Sequence, residues 1–103
     1  MFVLAGQIKV DPEHHDAAAA AMLVMQEATS HEEGNSAYVF TAELAERGTF
    51  RIFELWETDE ALAAHFTAEH MKIFQAALKA CGPRRADVPF MRYDVSQASP
   101  FRP

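Results

Sequence analysis

The segment Thr49–Glu57 constrains the fold more than any other part of the chain. Its alternation sets Phe50, Ile52, Glu54 and Trp56 on one face and Arg51, Phe53, Leu55 and Glu57 on the other. The period of two marks a strand. Both faces carry large apolar groups, so the sheet that holds this strand must be covered on both sides. A chain of 103 residues has room for one domain with one core. Its own helices can cover only one face.

The rest of the chain supplies the partners of that strand. Phe2–Val10 alternates, with Phe2, Leu4, Gly6, Ile8 and Val10 on one side, and reads as a first strand. Asp11 offers an N-cap acceptor, Pro12 suits the first helical position, and Glu13 and Asp16 complement the helix dipole. The alanine-rich stretch to about Ser30 is therefore helix, with Ala18, Met22, Met25 and Thr29 sharing a face and Ala21 beside them. His31-Glu32-Glu33-Gly34-Asn35 breaks it, and Ser36–Glu43 forms a second strand. The turn Glu46-Arg47-Gly48 joins that strand to Thr49–Glu57 as a hairpin. Thr58 caps a second helix that runs to about Cys81, with an interruption near Thr67, and Gly82-Pro83 stops it. After a loop rich in Arg and Pro, Phe90–Val95 forms a fourth strand.

This β-α-β-β-α-β order predicts an α+β fold: a ferredoxin-like split βαβ sandwich, with a four-stranded antiparallel sheet and both helices on one face. The domain spans residues 1–95, and Ser96–Pro103 is a tail. Val3, Tyr38, Val39 and Phe40 extend the two-sided apolar character to the neighbouring strands. A large apolar patch on a soluble protein marks an interface, so a homodimer that packs sheet on sheet is expected.

Charge and composition remove several classes of partner. Nine basic residues against fifteen acidic ones leave a formal charge of -6, the wrong sign for displacing counterions from phosphates, so no nucleic acid is expected. The longest apolar run, Ala17–Met25, falls short of the roughly 20 residues that span a bilayer, so no membrane partner is expected either. The amino terminus reads directly as a strand, without the basic region of a secretory signal, and a single cysteine suits a reducing compartment; the expected location is the cytoplasm. Cys81, beside Gly82, reads as filler at a helix end rather than as a nucleophile. A glycine-rich phosphate loop, a dinucleotide fingerprint and a Gly-x-Ser-x-Gly elbow are all absent.

The candidate chemistry lies in histidines and one carboxylate. His14 and His15, in a first helical turn, and His31, in a polar loop, read as solvent-exposed. His65 and His70 flank Phe66 on the second helix. Five residues of unbroken helix turn through about 500°, so the pair shares a face only if the helix breaks near Thr67. No third ligand stands at a telling spacing and no His-Glu-x-x-His is present, so no metal is expected. Glu54 shares a strand face with Ile52 and Trp56, where burial would raise its pKa. It reads as a general base, as a histidine's hydrogen-bond partner, or as half of an internal ion pair. Trp56 reads either as core filler or as an aromatic wall for a flat substrate.

Several segments together resemble the antibiotic-biosynthesis-monooxygenase superfamily. They are Glu32-Glu33-Gly34-Asn35 with Tyr38, Phe53-Glu54-Leu55-Trp56-Glu57-Thr58, Ala61-Leu62-Ala63-Ala64-His65, and Glu69-His70-Met71-Lys72. The resemblance covers about residues 2–95 and is greatest to small bacterial quinol monooxygenases and the related autoinducer isomerases. Gly82-Pro83-Arg84-Arg85 is similar to the segment after the second helix in the isomerases.

The resemblance implies a homodimer with a pocket between sheet and helices, and an oxygenase that uses no cofactor. A base would deprotonate a quinol or polyphenol, and the anion would reduce O2 directly. On that footing His65 is the base, His70 its partner or a second proton carrier, and Glu54 orients a histidine. Trp56, Phe66 and Phe74 wall the ring, and Asn35 or Tyr38 contacts an oxygen. Some members carry a catalytic asparagine on the first strand, where this chain has Gly6-Gln7. Two alternatives accompany this reading. One is an isomerase of a small carbonyl compound, with Arg84 and Arg85 serving the phosphate if it is phosphorylated; the other is a non-catalytic dimer that binds a small ligand.

Overall fold

A computed structural model describes residues 1–103. Its elements, in chain order, are β1 (Phe2–Val10), α1 (His15–Thr29), β2 (Asn35–Ala42), β3 (Thr49–Trp56), α2 (Asp59–Phe66), α3 (Glu69–Lys79), β4 (Pro83–Arg84) and β5 (Met91–Asp94). The strands form one antiparallel sheet, ordered β2-β3-β1, with β4 and β5 both paired to the other edge of β1. This is the ferredoxin-like α+β arrangement.

The local signals act where the residues predict. Asp11 Oδ1 accepts from Glu13 N–H at 3.2 Å, and Pro12–His14 form a 3-10 turn ahead of α1. Ala18, Met22, Met25 and Thr29 are the buried residues of α1. Thr58 Oγ1 accepts from Ala61 N–H at 3.1 Å and starts α2. The helix does break at Thr67, and Ala68 takes an extended backbone before α3 begins. Cys81 is buried at the end of that helix.

Two expectations need revision. The fourth strand is in two pieces, and part of the segment read as loop is the strand pair Pro83–Arg84. The chain leaves the edge of β1 after Arg84 and rejoins it at Met91. Two contacts hold the intervening loop: Gln7 Oε1 accepts from Asp87 N–H at 2.6 Å, and the Phe90 ring lies on Gly6, where a Cβ would run into it. The second revision concerns His15, which is half-buried rather than free in solvent. Its Nδ1 accepts from Gly48 N–H at 2.9 Å and its ring stacks on Phe50 at 4.7 Å, tying the β2-β3 turn to α1.

The register separates the two faces of the sheet. Phe2, Phe50, Ile52, Glu54, Trp56 and Tyr38 are buried on the helix side. Across the sheet, Val39 pairs with Phe53 and Val3 with Tyr93 on the opposite side. Phe53 is 46% exposed and Tyr93 53%, so no element of this chain covers that face. The helix-side core, by contrast, is closed by α1 and α3, whose Met22, Met25, Met71 and Phe74 pack in one cluster with the strands.

Because Phe90 fills the space beside Gly6, a Gly6→Ala substitution is expected to lower stability by about 1–3 kcal/mol through overpacking. Adding Phe90→Ala should recover part of that loss in urea unfolding. Strictly additive losses would show that the ring does not sit there.

Candidate active site

The chemistry gathers where the turn after α1, the inner face of β3 and the α2-α3 break meet. Gly34, at φ 82°, allows the chain to reverse out of α1 into β2. Its lack of a side chain also lets the turn lie against α2, since a Cβ there would stand 2.5 Å from Ala61 Cβ. This close approach carries Glu32 to the histidines. The Nδ1–H of His65 donates to Glu32 Oε2 at 2.7 Å, and the Nε2–H of His70 donates to the same oxygen at 2.6 Å. The break at Thr67–Ala68 resets the helical rotation, which is why two histidines five positions apart reach one atom.

His65 is only 1% exposed. Its ring is packed between Trp56, at 4.9 Å, and Tyr38, at 5.3 Å. With Nδ1 committed to the carboxylate, Nε2 is left as the unprotonated nitrogen of the neutral ring. His65 also lines a cavity of about 230 Å³ between the sheet and the helices α2 and α3. Leu4, Ile8, Phe40, Ile52, Phe66, Met71, Phe74 and Phe90 make its apolar wall, and Tyr38, Glu54, His65 and Gln75 are its polar groups. A larger depression, about 440 Å³, lies between β1, β5 and the loop before β5, but among its lining residues only Arg51 and Tyr93 titrate. The smaller cavity is the one that brings Tyr38, Glu54 and His65 together.

Glu54 faces this cavity from β3, and its Oε1 accepts from Trp56 Nε1–H at 2.9 Å. Burial pushes its pKa up and the nearby Glu32 adds to that, while the Trp56 hydrogen bond works in the opposite direction. Tyr38 is pushed up as well, first by burial and then by Glu54 and Glu32. Its hydroxyl therefore stays protonated, as a donor.

Five of the eight residues singled out from sequence line the cavity: His65, Glu54, Tyr38, Phe66 and Phe74. His70 stands behind His65, joined to it through Glu32. Trp56 is fully buried beneath the site rather than in its wall, so the core-filler reading describes it, with its indole N–H serving Glu54. Asn35 turns away: its Nδ2 donates to Ala37 O at 3.0 Å and Leu55 O at 3.4 Å, across an irregularity in the β2-β3 pairing. The expectation that Glu54 orients a histidine is also corrected, because that partner is Glu32. Glu32 stands 33 residues before His65 in a polar turn, and no local spacing marks it. The lining has no Lys or Arg. Arg84 instead pairs with Lys9 at the exposed sheet edge.

Comparison with known proteins places the chain in a family context. The family model for antibiotic biosynthesis monooxygenases matches residues 1–77. A solved structure of a candidate antibiotic biosynthesis monooxygenase from Deinococcus radiodurans is similar at TM-score 0.86 and 22% identity, over 100% of both chains. A solved antibiotic biosynthesis monooxygenase has TM-score 0.83 at 24% identity, over 94% of this chain and 100% of that one. A candidate enzyme of the same description from Nitrosomonas europaea has TM-score 0.81 at 18% identity, over the same shares. At such identities these likenesses show the fold. No curated protein matches the chain.

The raised Glu54 pKa has a consequence for stability. The folded state holds this proton more tightly than the unfolded chain, whose carboxyl titrates near 4.5. Its contribution is present below that value and is lost as pH rises through the folded pKa. Relative to wild type, Glu54→Gln should therefore gain unfolding free energy as pH rises from 4.5 to neutral. A constant difference, measured by urea unfolding across that range, would contradict the raised pKa.

Proposed function

The chain belongs to the antibiotic biosynthesis monooxygenase family, and on that premise we propose that it is a cofactor-independent monooxygenase that oxidises a small aromatic quinol or polyphenol with O2. The observation that carries this reading is His65, hydrogen-bonded to Glu32 at Nδ1 and lining a mostly apolar cavity.

Each group then has a role. Glu32 fixes the ring's tautomer and orientation and places a negative charge behind the imidazolium formed when Nε2 takes the phenolic proton. The Tyr38 hydroxyl, kept protonated by burial, donates to the substrate anion. Phe66, Phe74 and Phe90 supply aromatic faces for a ring, and a volume of about 230 Å³ suits a single-ring substrate. The anion passes one electron to O2, the two radicals join through a new C–O bond, and loss of water from the hydroperoxide leaves a carbonyl. One oxygen atom ends in the product and the other in water. An apolar lining without Lys or Arg favours this neutral ring over a phosphorylated carbonyl compound.

The same reading includes a homodimer built on the outer sheet face. It is supported by the apolar side chains of Val39, Phe53, Met91 and Tyr93, each more than a third exposed. Light scattering should give twice the mass of one chain, and Phe53→Glu should shift the protein toward monomer. A wild-type monomer at roughly micromolar concentration would overturn the dimer.

Oxygen uptake with a panel of quinols, on protein shown to be metal-free, tests the activity. His65→Ala should lower kcat by about 10²- to 10⁴-fold, the usual contribution of a positioned base. Glu32→Gln should cost roughly 10- to 100-fold by releasing the ring. A genuine uptake rate that neither substitution changes would remove both residues from the mechanism.

A further inference from the structure

The triad of Glu32, His65 and His70 has a geometry with a second use. One ligand atom from each of Glu32, His65 and His70 lies within 4.8 Å of the other two, and Glu32 Oε2 stands 2.7 Å from His65 Nδ1 and 2.6 Å from His70 Nε2. They come from three different parts of the fold: the turn after α1, the last turn of α2 and the first turn of α3. We propose that these three atoms form a binding site for a borderline divalent transition cation of the Zn2+ class, and that this cation and the free base at His65 exclude one another.

The donor set decides the class of ion. Two imidazole nitrogens and one carboxylate oxygen suit Zn2+ and its transition-metal neighbours; Ca2+ and Mg2+ prefer all-oxygen sites, and Cu(I) prefers thiolates. Three protein ligands leave a fourth position for water. Bonds of about 2.0–2.1 Å in a tetrahedron set ligand atoms about 3.3 Å apart. Binding thus requires the 2.6 and 2.7 Å contacts of Glu32 to open slightly and the two histidine nitrogens to close from within 4.8 Å. His70 and Glu32 have side chains 25% and 15% exposed, whereas that of His65 is 2% exposed. The ion therefore enters from the solvent side, past His70, and not through the cavity. The carboxylate gives the site a net negative charge when both rings are neutral, in a chain of formal charge -6.

The exclusion follows from proton placement. Each ring now carries its proton on the nitrogen that faces Glu32, and a metal needs that lone pair. The proton moves to the opposite nitrogen of the same ring: Nδ1 in His70, Nε2 in His65. At His65 the nitrogen facing the substrate becomes a donor, so a cation held outside the cavity switches off the base inside it. This last step rests on the oxygenase reading; the binding does not.

Calorimetric titration of Zn2+ into the metal-free full-length protein reads the binding directly, whether or not oxygenase activity is found. One site per chain is expected. Glu32→Gln and His70→Ala, each checked for wild-type circular dichroism and thermal unfolding, should weaken it by at least about a hundredfold. Zn2+ should also shift the ¹⁵N resonances of His65 Nδ1 and His70 Nε2. Absence of saturable binding at micromolar Zn2+ would overturn the site, as would binding that survives both substitutions or is lost in His31→Ala, whose ring pairs with Glu27 on the surface. If quinol-dependent oxygen uptake is present, Zn2+ should inhibit it at the calorimetric stoichiometry. Uptake unchanged at saturating Zn2+ would overturn the exclusion while leaving the site in place.

Discussion

The inner face of β3 buries a carboxyl group in an otherwise apolar layer, and much of the site follows from satisfying it. Glu54 shares that face with Phe50, Ile52 and Trp56 and is 6% exposed. A buried carboxyl without a partner is costly, and Trp56, two residues on, offers its indole N–H. That bond fixes the indole, the indole packs on His65, and His65 in turn is aligned by Glu32. Glu54 is thus bonded to Trp56, and both histidines to Glu32, while apolar side chains line most of the space left over. His65 thus has one ring nitrogen committed to Glu32 and lines the cavity beside Glu54 and Tyr38.

The same economy explains the edge of the sheet. β1 pairs with three other strands, and its free edge takes the fourth strand in two short pieces rather than one long one. The loop between them brings Phe90 over Gly6 and into the cavity wall. Gln7, pointing the other way, secures the loop through Asp87. On the first strand, then, the space beside Gly6 is filled by a phenyl ring from β5's approach. The hydrogen-bonded histidines and their carboxylate lie on the helix side, at the α2-α3 break.

Much of this was legible from local rules. Period-two alternation located β1, β2 and β3, and the caps at Asp11 and Thr58 located the starts of the helices. The buried stripe Ala18, Met22, Met25 and Thr29 is the one that helical spacing predicts. His65, Glu54, Tyr38, Phe66 and Phe74, which the family resemblance groups together, line one cavity. The short pairing of Pro83–Arg84 was not legible, since two residues of strand carry no periodicity.

Local periodicity and capping therefore set the order of elements and the face each residue takes, with His65, Glu54 and several aromatic residues near β3 and the second helical segment. Tertiary structure alone decided which carboxylate serves the histidines. Glu32 lies 33 and 38 residues from its two partners, and only the chain reversal at Gly34 and the break at Thr67 bring the three together. Alternation and helical period act over a few residues, whereas this contact depends on how two turns pack against each other, which no local period encodes.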